Sequence, residues 1–552
     1  MIRTATLWVL LASAALASAA FASAAFAQSK TADLCSPPPG SVPPSLPAKL
    51  LSGQGSEHIR FTITTLNPKA QEFFTQGVAQ MHSFWATEAE RSFLQAAALD
   101  PEAPMPHWGI AMVAHGEFRP RFQLEGDGPP KRPKSYEGAA KRAFEAARKA
   151  RELSAVPGKA TPLEKLYIEA AAARLDLASK DPNAGYIKGL RAILAQYPGE
   201  VEAKTYLALH LMRGFETPAK TPREGSMEAA ALLRELVKDV PDHPGAHHYV
   251  IHGFEGSTFA KDAWPSCVRY AELVPNIPHA LHMPGHIYAQ TGKWAEAAKS
   301  FEDAAENELG YIKADALYTL GHHGHNVHFL VSTYSYQERY DKGVEAARGL
   351  MEFKENPREA AAVDNSRTTF RQGWFSLMRA MVQNEKWDEI LDGKTLPVYD
   401  KPRENAWRAW ALGLAHSAKG DPKAAGQQLK AMEAALKQLK TKTKSSTPDY
   451  FKIAQEELKG QVELASKNTD RGLKILQSAT RKERSLRYSE PTSYPRPVAE
   501  VLAQAALRNG KLELAKASFQ QALDQNPASP RAERGLAETV SRIEKGVLKA
   551  GL

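Results

Sequence analysis

AQEFFTQGVAQMHSFWATEAERSFLQAAALDPEA, residues 70–103, contains two amphipathic stretches that are separated by a short turn. Small and aromatic residues recur along both stretches with a spacing typical of one helical face. Small side chains let two helices approach closely, aromatic rings fill the gap between them, and a proline ends the second helix. The segment therefore predicts a helix–turn–helix unit of 34 residues. Its positions 4, 8, 20, 24, 27 and 32 are Phe73, Gly77, Ala89, Phe93, Ala96 and Pro101.

The same spacing recurs in at least three later segments, and no run of alternating apolar and polar residues predicts a strand. This recurrence resembles the tetratricopeptide repeat (TPR), whose 34-residue units stack on one another. The resemblance implies an all-α fold, a TPR-type α-solenoid of helix–turn–helix repeats in a right-handed superhelix. The matching residues are Gly285, Tyr288, Ala297, Phe301 and Ala304 counted from Pro278, Ala515, Phe519, Ala522 and Pro527 counted from Arg496, and Leu412, Gly413 and Ala425 counted from Ala406.

Two stretches go beyond the generic repeat. HALHMPGHIY, residues 279–288, and SEPTSYPRPVAEVLAQAAL, residues 489–507, resemble a group of exported bacterial TPR proteins without an assigned activity. The resemblance implies a fold and leaves the function open. TPR proteins as a class bind peptides or proteins in their concave groove.

The N-terminus has the pattern of a secretory signal. A short basic region at Arg3 precedes an apolar, alanine-rich stretch and an A-x-A sequence at 25–27. We predict a signal peptide over residues 1–27, and hence a periplasmic or secreted protein without a transmembrane segment after cleavage. A retained anchor helix is the alternative.

The rest of the chain divides by composition and repeat register. A proline-rich leader precedes the repeats, and a segment near the C-terminal end breaks their register. The predicted divisions are the leader at 28–67, a TPR-like solenoid with a histidine-rich groove at 68–432, a helical linker region at 433–470 and C-terminal TPR-like repeats at 471–552.

Charge and cysteine content exclude several classes of function. The net charge is +9, but the basic residues are dispersed and form no nucleic-acid-binding motif, so we predict no nucleic-acid partner. No C-x-x-C sequence is present, which excludes thioredoxin chemistry and the usual c-type haem attachment. The two cysteines, Cys35 and Cys267, either pair in an oxidising compartment or remain two separate thiols.

Eleven of the 17 histidines lie between His243 and His328. In TPR proteins the first helix of each unit lines the groove through positions 2, 5, 9, 12 and 13. Counting from Pro244, Pro278 and Gly324 puts imidazoles of three successive units at such positions. The residues concerned are His248, His252 and Glu255, then His279, His282 and His286, then His325 and His328.

This pattern predicts a metal site. Side chains at i and i+4 share a helical face, so His248 can act with His252, and His282 with His286. Neighbouring first helices lie roughly 8 to 10 Å apart, so ligands from two helices can converge. Neutral imidazole suits Cu, Zn or Fe. Glu255 is a further carboxylate ligand or general base, and Asn326 is placed to orient a ligand.

Other interpretations of the histidines stay open. One alternative is a polar groove for an organic ligand, and another is a structural role in which each imidazole bonds to its own carbonyl. Pro284 either kinks the helix that carries His282 and His286 or marks a later helix start near Met283, which would remove their i, i+4 relation.

Three functions follow from these patterns. The first is an exported TPR binding scaffold whose histidine-lined groove holds a transition metal. The second is a metal-dependent enzyme, redox or hydrolytic, that uses the same histidines. The third is a metal-free adaptor for a peptide, protein or small-molecule ligand of the cell envelope. The sequence has no phosphate loop, G-x-S-x-G or H-E-x-x-H motif, so it contains no independent indication of catalysis.

Overall fold

The structure, a computed structural model, describes residues 46–114, 139–176, 178–314, 321–353, 368–487, 489 and 491–550. The predicted signal peptide and Cys35 lie outside these residues, so the pairing of Cys35 with the buried Cys267 stays a prediction.

Helices account for nearly all regular structure in the described residues. Apart from two short 3-10 helices and one isolated bridge between Phe215 and Pro222, these residues contain only α-helices. None of these helices combines the length and apolarity needed to cross a bilayer. They are α1 Pro68–His82, α2 Ala86–Leu99, α3 Pro104–Val113, α4 Ala139–Ser154, α5 Pro162–Arg174, α6 Pro182–Gln196, α7 Val201–Leu211, α8 Ser226–Asp239, α9 Pro244–Phe254, α10 Trp264–Leu273, α11 Pro278–Gln290, α12 Trp294–Ala314, α13 Gly321–Tyr336, α14 Tyr340–Glu352, α15 Thr369–Gln383, α16 Trp387–Leu391, α17 Pro402–Ala418, α18 Pro422–Thr443, α19 Asp449–Ala465, α20 Thr469–Arg484, α21 Val498–Arg508, α22 Leu512–Gln525 and α23 Pro530–Ala550.

Proline sets the start of many of these helices. Pro68, Pro244 and Pro278 each occupy the first turn, where the missing N–H costs no intrahelical bond. Asn67 caps α1 by accepting the N–H of Lys69. Proline therefore marks the N-terminal ends of these helices.

Consecutive helices pack as antiparallel pairs, as the repeat predicts. A β-carbon built at Gly77 of α1 would lie 2.6 Å from the Phe93 ring of α2. At Gly285 of α11 the corresponding distance to the Phe301 ring of α12 is 2.5 Å. Both distances are shorter than real β-carbon contacts, so only glycine permits the close approach. The predicted close approach of helices at small residues, with an aromatic ring in the gap, is confirmed at these two pairs.

The described end of the proline-rich leader, residues 46–67, is part of the core. Ile59, Phe61 and Ile63 are buried, and the Phe61 ring lies 4.9 Å from that of Tyr167. Thr64 bonds through its N–H and its hydroxyl to the Glu164 carboxylate. This segment therefore packs against the repeats as a third layer.

The chain divides into two compact units. One contains Trp387–Ala479, in which Trp407 and Trp410 are fully buried with ring centroids 5.3 Å apart. The predicted linker region at 433–470 contributes the end of α18 and all of α19 to this unit. The other unit comprises Thr31–Lys386 and Thr480–Leu552, and it contains every residue of the predicted metal site.

Candidate metal centre

Three helices carry the histidines of the predicted site. His248 and His252 lie on α9, His279, His282 and His286 on α11, and His325 and His328 on α13. Helix α11 runs through Pro284 without interruption, which keeps His282 and His286 one turn apart. The predicted helices thus carry these histidines, but the side chains are buried rather than exposed on a groove.

The structure distributes these histidines over two neighbouring clusters. Triad 1 consists of His248, His252 and His279, and triad 2 of His282, His286 and His325. Within each triad, one potential ligand nitrogen per residue lies within 4.8 Å of the others. All six side chains are buried, with at most 5% of their surface exposed. The triads adjoin, because the rings of His279 and His282 have centroids 6.2 Å apart.

Hydrogen bonds assign the tautomers in triad 2. The Asn326 amide nitrogen donates to the Phe301 carbonyl, so its oxygen faces His282 and accepts from Nδ1 at 2.7 Å. His286 donates through Nδ1 to the Glu255 carboxylate at 2.6 Å. Asn326 thus bonds to His282, and its predicted role of orienting a metal ligand stays a prediction. Both rings thus have their Nδ1 hydrogen committed, which leaves Nε2 as the ligand atom.

The two Nε2 atoms of His282 and His286 point at each other across 2.8 Å. In two neutral rings with hydrogen on Nδ1, both of these atoms carry lone pairs. Lone pairs repel at this distance, and a shared proton or a metal ion between the two atoms would remove the repulsion. Only a metal ion would also use the nearby imidazole of His325.

Triad 1 has the same organisation. His248 donates through Nδ1 to the backbone carbonyl of His82, and its Nε2 has no hydrogen-bond partner within the described residues. His252 donates through Nδ1 to Glu255 at 3.3 Å. Neither ring nitrogen of His279 meets a partner in the part of the chain that the structure describes. A buried nitrogen without a partner costs about 1 to 3 kcal/mol.

Glu255 joins the two triads. Its Oε2 accepts from His252 of triad 1 and its Oε1 from His286 of triad 2. The role of Glu255 as a metal ligand or general base stays a prediction, and in the structure its two oxygens accept hydrogen bonds from histidines of both triads. Helix α9 ends at Phe254, and Glu255 follows with extended backbone at ψ 132°.

Burial determines the charges of these groups. Burial first, and neighbouring imidazoles second, lower the pKa of four histidines well below the usual range, which keeps the rings neutral and able to bind metal. Burial also opposes ionisation of Glu255, but His286 and the hydrogen bonds from both histidines outweigh it and hold its pKa below normal. The four histidines are His248, His279, His282 and His325.

An aromatic ring covers each triad. Phe84 packs on triad 1, with its ring 4.5 Å from that of His248, and Phe329 packs on triad 2, 4.7 Å from His286. Phe84 has a left-handed backbone conformation with φ 54°, which is uncommon for a bulky residue. These rings exclude water from the ligand nitrogens.

Other histidines of the same region have structural roles or lie apart. His82 and His243 bind the two oxygens of buried Glu202, at 2.7 and 3.1 Å, and their remaining nitrogens bond to Tyr249 and to the N–H of Ala246. Because every ring nitrogen of this pair has a partner, the pair forms part of the architecture. Glu202 has no counterpart in the repeat pattern and was missed by sequence analysis.

His328, one of the predicted ligands, falls outside both triads. Its ring lies edge-on to Phe375 at 5.5 Å. His322 borders the site, with its ring 5.4 Å from that of His282 and its Nδ1 3.3 Å from Glu308. Triad 2 thus takes only one of its three ligands from α13.

A small opening leads to Glu255. Arginines from two loops line it, together with Gly256 at the end of α9. The arginines are Arg213, Arg223 and Arg487. The shared carboxylate is thus the part of the site that lies at this opening, and its surroundings are cationic.

Comparison with known proteins identifies the repeat. The family model of the tetratricopeptide repeat matches residues 500–529, which span most of α21 and all of α22. Residues 500–529 therefore match a tetratricopeptide repeat. No curated protein matches it.

Solved TPR-type structures align at low similarity. Human IFIT1 in a dimer with m7Gppp-AAAA is 12% identical, with 88% of this chain and 92% of that chain covered and a TM-score of 0.32. Yeast Tom70 is 12% identical, with coverages of 87% and 90% and a TM-score of 0.25. The APC/C hetero-tetramer Cut9-Hcn1 is also 12% identical, with coverages of 87% and 78% and a TM-score of 0.30. TM-scores this low carry no argument about ligands or partners of this chain.

Proposed function

We propose that this TPR protein is an exported binding scaffold that holds a transition metal ion in triad 2. The opposed Nε2 atoms of His282 and His286, 2.8 Å apart, carry the proposal. Their Nδ1 atoms are held by Asn326 and Glu255, and outer partners of this kind fix ligand histidines in metalloproteins. His325 supplies a third imidazole from the next helix.

Ligand chemistry selects the class of metal. Triad 2 offers three imidazoles and no thiolate, a set that suits Zn, Cu or Fe. Calcium and magnesium prefer oxygen ligands and find none within the triad. The scaffold would present this ion beside the surface that a TPR protein uses for peptides or proteins.

A metal-dependent enzyme is the second candidate. Triad 2 supplies three ligands, and sites with three protein ligands leave a coordination position for water or substrate. The opening at Glu255 has a volume of about 20 Å³, enough for a water molecule, and arginines line it. Turnover by the metal-loaded full chain, for example hydrolysis of carboxylic or phosphate esters, would distinguish this enzyme from a scaffold.

Metal content tests the proposal directly. The full chain is stripped with a chelator, dialysed separately against Zn²⁺ and Cu²⁺, and measured by inductively coupled plasma mass spectrometry. We expect the protein to retain metal and the double variant His282→Ala/His286→Ala to lose one equivalent. In the Cu²⁺ form, electron paramagnetic resonance should show hyperfine coupling to imidazole nitrogen.

A matched control removes two imidazoles elsewhere. His58→Ala/His416→Ala changes two partly buried histidines outside both triads, and its metal content should equal that of the wild type. Circular dichroism checks that each variant is helical. Absence of bound metal in the wild type, or undiminished metal in the His282/His286 variant, would contradict the proposal and leave the metal-free adaptor.

A further inference from the structure

Triad 1 has features of a metal site that the proposed function does not use. Its ligand nitrogens come from α9 and α11, and none of its histidines belongs to triad 2. His248 is fully buried, its Nδ1 hydrogen is committed to the His82 carbonyl, and its Nε2 faces His252 and His279 without a hydrogen-bond partner among the described residues.

His279 gives independent support. Its ring is 5% exposed, and neither nitrogen hydrogen-bonds to any described part of the chain. A buried histidine with a structural role normally hydrogen-bonds through at least one ring nitrogen to a carbonyl or carboxylate, as His82 and His243 do to Glu202. His279 has no such partner, and a metal ion between it and His248 would use the open lone pairs of both.

We propose that triad 1 is a second metal site, for a divalent first-row transition ion, and that Glu255 positions the ligands of both sites. The protein then binds two ions, one in each triad. The inference rests on the proposed function, since it takes triad 2 as the first site. One carboxylate serves both triads because its two oxygens accept from His252 and His286.

If Glu255 positions the ligands of both triads, its substitution should change the metal affinity of both, which a purely structural role would not predict. A carboxylate that accepts the Nδ1 hydrogen of a ligand histidine fixes the ring and raises its basicity, and its loss typically weakens metal binding 10- to 100-fold. Replacing Glu255 with glutamine should therefore weaken binding at both triads together, although neither triad loses a ligand.

Titration with Zn²⁺, followed by competition with a chromophoric chelator, tests the inference on the full chain. We expect two equivalents for the wild type and one each for His248→Ala/His279→Ala and for His282→Ala/His286→Ala. Glu255→Gln should retain two equivalents, with both affinities lowered about 10- to 100-fold.

Glu202→Gln is the matched control, because Glu202 is also a buried carboxylate with two histidine partners and belongs to neither triad. It should leave both affinities unchanged. One equivalent in the wild type, lost in the His282/His286 variant, would overturn the second site and keep the proposed function. No tight equivalent would overturn both. A Glu255→Gln effect confined to triad 2 would overturn the shared role, and thermal unfolding identifies any variant that fails to fold.

Discussion

Gly285 shows how one missing side chain controls the position of the histidines around it. It lies between Pro284 and His286 on α11, against the Phe301 ring of α12. Because a β-carbon there would lie 2.5 Å from that ring, α11 and α12 can approach only with glycine. The spacing of the repeat therefore also sets the distance between triad 2 and its supporting helix.

Substitution of this glycine should be destabilising. Gly285→Ala forces Phe301 or the helix to shift, and overpacking of this kind costs about 1 to 3 kcal/mol. Gly310→Ala, on α12, is the control, because no atom lies within 4 Å of the added methyl group. Alanine there should stabilise by about 0.5 to 1 kcal/mol through helix propensity. Differential scanning calorimetry would contradict the prediction if both melting temperatures moved in the same direction.

Individual residues also mark the limit of sequence-based prediction. The repeat phase predicted His248, His252, His282 and His286 on successive helices, because equal positions of a repeat face the same way. It placed Glu255 one turn further along the same helix. The helix ends at Phe254, and Glu255 bonds to His252 as that position predicts, whereas its contact with His286 was not predicted. Repeat phase contains no information on where a helix stops.

At the scale of elements, the sequence predicted the helix pairs but not the packing of the leader against them. Close packing of paired helices requires small and aromatic residues at fixed positions, so the repeat can be recognised in the sequence. The leader has no periodicity, since an extended segment is held by individual contacts with helices far away in sequence. Ile59, Phe61 and Ile63 enter the core in this way.

Substitution of Phe61 tests how much the leader contributes to the free energy of unfolding. Its ring lies 5.4, 5.5 and 4.9 Å from those of Phe74, Trp108 and Tyr167. Phe61→Ala should reduce the free energy of unfolding by about 3 to 5 kcal/mol, the usual cost of removing a buried aromatic ring. Leu66→Ala, in the same segment, removes a fully exposed side chain and should change it by less than about 0.5 kcal/mol. Chemical denaturation measures both, and equal effects would contradict a core role for the leader.

At the scale of the unit that contains the triads, the first helix pair contacts helices far along the chain. Ser83 accepts a hydrogen bond from Tyr270, and Gln54 bonds to the Asn276 carbonyl and to Gln80. In a simple solenoid each repeat contacts only its neighbours, and terminal repeats open first. These long-range bonds should instead couple α1 to the helices that carry the triads.

Hydrogen exchange measures this coupling. In the wild type, amides of α1 should be protected as strongly as those of α9 and α11. Gln54→Ala removes the bond to Asn276 and leaves the buried Gln80 amide without its partner, at a cost of about 1 to 3 kcal/mol. Exchange in α1 should then become faster than in α9. Exchange in α1 that is already fast in the wild type would contradict the coupling.

The bond from His248 to the His82 carbonyl joins residues 166 positions apart. At about 5 to 20 residues per second, synthesis of the intervening chain takes roughly 8 to 33 seconds. During that interval His248 has not yet been synthesised, so the carbonyl of His82 and the ring of Phe84 lack their contacts with its imidazole. Triad 1 is thus a late event in the biogenesis of this protein, and metal can enter it only after the chain has been made past His279.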